Sequence, residues 1–118
     1  MSELSALLDK FKRIDGVAGA MIIDRSGNVV ESVLEDQQAA QHIAESILGC
    51  LDGGAKIAAA LKKGNVQRDL IHCGDNQYLS ESVTDEHFIV IAASVKSNLG
   101  RIRLELRKNK GAAASLLA

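Results

Sequence analysis

Residues 36–63, DQQAAQHIAESILGCLDGGAKIAAALKK, read as one long helix whose apolar arc is too wide for a single core. At about 100° per residue, Ala40, Ile43, Ile47, Leu51, Gly54, Ala58 and Leu61 fall on one stripe. Ala44, Leu48, Ala55 and Ala59 flank it on one side, Cys50 and Ile57 on the other. The arc spans roughly 200°, where a helix covering one face of a small domain needs little more than about 100°. A sheet takes part of that arc, and in so short a chain the excess is expected to meet a second protein. Lys62-Lys63-Gly64 closes the helix, with cations at the negative end of the dipole and a glycine for the position after the cap. Gly49, Gly53 and Gly54 each cost about 1 kcal/mol relative to Ala inside a helix, so the pattern leaves a kink open there.

Outward from this helix the chain alternates between short apolar runs and turns. On the N-terminal side, Asn28 to Leu34 predicts a wet edge strand carrying Glu31 and Ser32. Asp24-Arg25-Ser26-Gly27 is a tight-turn signal, and Val17 to Asp24 (VAGAMIID) predicts a strand covered on both faces. Before it, Leu4, Leu7, Leu8, Phe11 and Ile14 space out an amphipathic helix, with Ser2 as N-cap and Gly16 to end it. On the C-terminal side, Val66 to Cys73 predicts a half-exposed strand and Gln77 to Val83 a polar one anchored by Tyr78, Leu79 and Val83. His87 to Val95 (HFIVIAASV) is a second two-faced apolar run. Ser97 or Asn98 then caps a final helix with Leu99, Ile102 and Leu106 on one stripe and a tail, 111–118, free to fray.

The order αββαβββα with hairpin-length links predicts an α/β fold of the α+β sandwich kind: a five-stranded antiparallel sheet with helices on its faces, in a profilin-like layout. The two apolar strands belong in the middle and the wetter ones outside. One domain, 1–118, accounts for the whole length.

Composition narrows the function. Phe11, Tyr78 and Phe88 are the aromatic residues, too few for a surface that stacks bases or grips planar ligands. A formal charge of −1 argues against nucleic acid as a partner. Cys50 and Cys73 do not form a disulfide framework and are expected to be small buried hydrophobes. Charges begin at Glu3, no signal pattern precedes them, and no apolar run reaches membrane-spanning length. The expectation is a cytoplasmic protein with no integral membrane contact.

The string Gly16 to Val30 (GVAGAMIIDRSGNVV) resembles the first hairpin of the roadblock / dynein light-chain family, where a glycine-led apolar strand enters an Asp-x-x-Gly turn. Ser97 to Leu106 (SNLGRIRLEL) resembles the start of that family's last helix, and the alanine-rich helix between the second and third strands also fits. The resemblance covers essentially the whole chain. It implies a non-catalytic module that forms a homodimer through its long helix and the edge strand after it, joining two sheets into one. It also implies a role as scaffold or regulator of a small Ras-like GTPase. On that reading the dimer interface draws on Ile43, Ile47, Cys50, Leu51, Gly54, Val66, Arg68 and Leu70. A small-ligand sensory domain of the same layout and a structural light chain of a larger assembly are the alternatives.

No catalytic constellation competes with a binding role. His42, His72 and His87 lack metal-ligand spacing, and His72 and Cys73 point to opposite faces of a strand. Gly49, Gly53 and Gly54 lie in a helical pattern without the Gly-Lys-Ser/Thr ending of a phosphate loop. Ser80 and Ser82 lack a glycine elbow and are expected to alternate on a solvent-facing strand. No cofactor is implied, and the chain is not expected to be an enzyme. Two surfaces invite contact instead. His42, Glu45, Gly49, Gly53 and Lys56 mark a nearly flat polar side of the long helix, a candidate surface for a partner backbone. Arg101, Arg103, Arg107, Lys108 and Lys110 make the last helix basic, either as a solvated face or as a patch for an acidic protein or anionic lipid.

Overall fold

The computed structural model describes residues 2–34, 36–62 and 67–118. Helix α1 (Glu3–Lys12) starts where the Ser2 hydroxyl accepts from the Ser5 amide at 3.0 Å, and it buries Leu7, Leu8 and Phe11. Strands β1 (Val17–Asp24), β2 (Val29–Ser32), β3 (Arg68–Cys73), β4 (Asn76–Ser82) and β5 (His87–Ser94) form one antiparallel sheet in the order β2-β1-β5-β4-β3. Between β2 and β3 runs α2 (Ala40–Leu61), and α3 (Leu99–Leu117) follows β5. The predicted element order and fold class are thus observed.

The apolar strands β1 and β5 pair side by side, Met21 opposite Val90 and Ile22 opposite Ile89. Alternation splits their side chains between two cores. On one face Ala20, Ile22, Ile89 and Ile91 pack with Leu8 and Phe11 of α1 and Ile102 and Leu106 of α3. On the other, Met21, Ile23, Phe88 and Val90 pack with Ala40, Ala44, Ile47 and Leu51 of α2. The polar strand β4 lies inside the sheet, not at its rim: Gln77 and Ser80 are buried. Gln77 is satisfied there, donating to the Ser94 carbonyl at 3.1 Å and the Ser97 hydroxyl at 3.3 Å. The expected solvent-facing Ser80 is fully enclosed, because α2 covers the face of β4 that it occupies.

The hairpin turn is built as its residues predict. Asp24 Oδ1 accepts from the amides of Ser26 and Asn28, both at 2.9 Å, and Gly27 adopts φ 86°. The bonds from Asn28, foremost its amide, with that of Ser26 and the nearby His87, hold the Asp24 carboxyl below the usual carboxylate range. Behind the turn, Arg25 lies 5.1 Å over the Phe88 ring. At Gly19 the return of the chain needs a missing side chain, since a Cβ would stand 2.8 Å from Leu34 Cα.

The helix expected from Asp36 begins as a single 3-10 turn, Gln37–Ala39, with Asp36 accepting from the Gln38 amide at 3.0 Å. From Ala40 it continues without a break past Gly49, Gly53 and Gly54. Lys62 ends it in the left-handed region, φ 54°; Lys63, Gly64 and Val66, assigned to the helix end and the next strand, lie outside the described residues. Asn98 caps α3 by accepting from the Arg101 amide at 3.1 Å. That helix holds its form through the tail expected to be free to fray, where Ala113 is buried. Among the described residues no helix is long and apolar enough to cross a membrane.

Candidate functional site

The excess apolar arc of α2 is visible as exposed surface. Ala40, Ala44, Ile47 and Leu51 face the sheet, and beyond Leu51 no residue of the helix is buried. Ile57 is 64% exposed and Leu61 61%. A seven-residue step leads from Cys50 to Ile57 and from Gly54 to Leu61, so both continue rows on the side of α2 that looks toward β3.

Between α2 and β3 an open cleft of about 380 Å³ is lined by His42, Ile43, Ser46, Cys50, Ile71 and Cys73, with Ile47 and Tyr78 at its floor. Strand β3 ends the sheet order, so its outer backbone amides and carbonyls have no strand to pair with among the described residues. Exposed apolar helix, apolar cleft and open strand edge therefore adjoin one another.

The residues assigned to a dimer interface fall into four groups. Cys50 is exposed and Ile43 and Gly54 half-buried, all on the open side. Ile47 and Leu51 are 2% and 5% exposed and belong to the core beneath α2. Leu70 points through the sheet to the α1–α3 core, and Arg68, on the edge strand, is ion-paired with Glu81 at 3.1 Å. Val66 lies outside the described residues. Ile57, Leu61 and Ile71 complete the surface; the breadth of the helical arc signals the first two, and alternation along β3 the third. The expectation that Cys50 and Cys73 are buried is corrected: both thiols are exposed, because each sits where sheet coverage ends.

His42, Glu45, Gly49, Gly53 and Lys56 are all exposed, as a contact surface requires. A Cβ built at Gly49 or Gly53 would meet nothing within 4 Å, so neither glycine is needed to fit this fold. Among the described residues no three His, Cys, Asp or Glu side chains converge as metal ligands. What the site offers is surface: an exposed apolar seam and a flat polar shoulder beside it.

No family model and no curated protein matches the sequence. Solved structures do match. A Roadblock/LC7 domain from Streptomyces avermitilis superposes with a TM-score of 0.90 over 98% of this chain and 98% of its own, at 15% identity. Myxococcus xanthus MglB gives 0.87 over 99% of this chain and 96% of its own, at 14% identity. An MglB with tetrameric arrangement gives 0.83 over 93% of this chain and 84% of its own, at 17% identity. In sheet order, in helix placement and over nearly its full length, the chain has the roadblock/LC7 fold.

Proposed function

We propose that residues 1–118 form one roadblock-type module that pairs with a second copy and, as a cytoplasmic dimer, scaffolds or regulates a small Ras-like GTPase. One observation carries the dimer: Ile57 and Leu61 stand more than half exposed on the helix that flanks the open β3 edge. Single exposed apolar residues are ordinary, but these two adjoin an apolar cleft and unpaired strand backbone, and a second copy covers all three at once. Edge pairing of β3 gives its outer amides and carbonyls strand partners, the Leu70 amide exchanging its bond to Asp69 Oδ1 at 2.8 Å for one across the pair, and antiparallel packing of α2 against its twin removes the two side chains from water. The tetrameric arrangement of one structural neighbour, an MglB, supports a module that assembles with copies of itself. The GTPase reading rests on the family resemblance of the hairpin and last helix, with the glycine-marked side of α2 as its docking surface.

Sedimentation equilibrium at micromolar concentration tests the assembly. A dimer is expected, weakened at least about tenfold by Ile57→Asp, which places a charge in the seam; a wild-type monomer would overturn it. A dimer that binds no purified Ras-like GTPase in either nucleotide state would favour the light-chain reading. The cleft's size lies within the range of small-ligand pockets, so a bound metabolite in the native protein would favour the sensory reading.

A further inference from the structure

The side of the molecule opposite α2 carries a surface that dimerisation through α2 and β3 does not use. Helix α3 buries Ile102, Leu106, Asn109 and Ala113 and turns its other side to solvent. At the centre of that exposed side is Leu104, 48% exposed. Residues three and four positions away are its neighbours on a helix; these are Gly100, Arg101, Arg107 and Lys108, and Arg103 adjoins it in sequence. All four cations are exposed, and none is ion-paired among the described residues. The one carboxylate of α3, Glu105, is occupied elsewhere, accepting from Asn109 Nδ2 at 3.0 Å. Lys110 extends the positive charge toward the C-terminus. The protein as a whole carries −1, so this concentration of cations is local and is offset on other faces.

We propose that this face of α3 docks on an anionic phospholipid bilayer. The apolar stripe of α3 is spent on the protein's own core, so the exposed side offers the charge-led form of membrane contact: the cationic stems spread to the phosphates and Leu104 adds one shallow apolar contact at the headgroup boundary. A cluster of four to eight basic residues on such a helix is the usual size for anionic lipid recognition. The alternatives fit less well. One turn-to-turn convex helix face offers no groove to hold an acidic peptide. Nucleic acid would find no aromatic platform on α3, and a helix half sunk in its own core cannot enter a duplex groove. A bilayer demands neither shape match nor insertion depth, only charge and a shallow apolar contact. Gly100, Gly111 and Ser115 are exposed on the same side and keep it low, so the cations reach the surface together.

Because this face lies across the sheet from α2, the proposal stands or falls independently of the dimer and GTPase reading. The test is flotation of the full chain with extruded vesicles of phosphatidylcholine containing about one-third phosphatidylglycerol, against phosphatidylcholine alone. Binding to the mixed vesicles only is expected, lost as salt rises from about 0.1 M to 1 M and screening shortens to a few ångströms. Each cation near the surface is worth roughly a fivefold change in partitioning, so Arg103→Glu with Arg107→Glu should lower it by more than about tenfold. Arg103→Lys with Arg107→Lys should keep it, and Leu104→Ala should weaken it without abolishing it. Unchanged circular dichroism in these exposed variants separates lost binding from lost fold. No flotation of the wild type, flotation indifferent to the charge reversal, or binding to polyglutamate or an oligonucleotide but not to vesicles would each overturn the proposal.

Discussion

Ser80 shows what one side chain can conceal in a strand pattern. Its hydroxyl is fully buried and has no hydrogen-bond partner among the described residues, with Asp69 and Val90 as its cross-strand neighbours. A buried unpartnered hydroxyl bears its desolvation cost without return. Ser80→Ala is therefore expected to leave stability unchanged or raise it by about 1 kcal/mol in urea denaturation; a loss of that size would reveal a partner for the hydroxyl. Asp24 is the opposite case, a carboxylate held by the amides of its own turn. Its folded value lies below that of the unfolded chain, so its contribution is complete above the ordinary carboxylate range and disappears as pH falls through the depressed value. Asp24→Ala should lower Tm at neutral pH, with the gap from wild type closing in strong acid. The turn is legible in the sequence because Asp-x-x-Gly chemistry is local. The burial of Ser80 is not, because it depends on α2 arriving from elsewhere in the chain to cover β4.

At the scale of elements, α2 carries both what the sequence reveals and what it hides. Its length, its register and its surplus of apolar arc follow from a period of 3.6 residues. Which part of the arc meets the sheet does not, since that depends on where the helix crosses the strands; hence Ile47 and Leu51 turn inward while Ile57 and Leu61 stay out. The two cysteines depart from expectation for the same reason: hydrophobic character marks a residue as able to be buried, and only the packing decides whether it is. Gly49 offers a decisive measurement on this element. Because a methyl group at this position would meet nothing within 4 Å, Gly49→Ala should raise stability by about 1 kcal/mol through helix propensity alone. If the flat polar shoulder receives a partner backbone, the same substitution should weaken GTPase binding while it raises Tm. A higher Tm with unchanged binding would mean that the glycine serves no contact.

For the molecule as a whole, a fold with a core on each side of one sheet marks out which surfaces are spare. One is the seam of α2 and β3; if a second copy covers it, as proposed, stability is coupled to assembly. The apparent Tm of the wild type should rise with protein concentration, as mass action requires when folding and pairing are linked, and that dependence should flatten in Ile57→Asp. The other spare surface lies across the sheet, on α3. Antiparallel pairing of two β3 edges needs a two-fold axis normal to the sheet, and such an axis leaves every helix on the side where it began. Both α2 helices of the pair would then look one way and both cationic helices the other. A plate so constructed has an obverse and a reverse: lying cation-side down on a charged surface, it would hold its glycine-marked helices upward, and the order of the layers alone would set the bearing of whatever it carries.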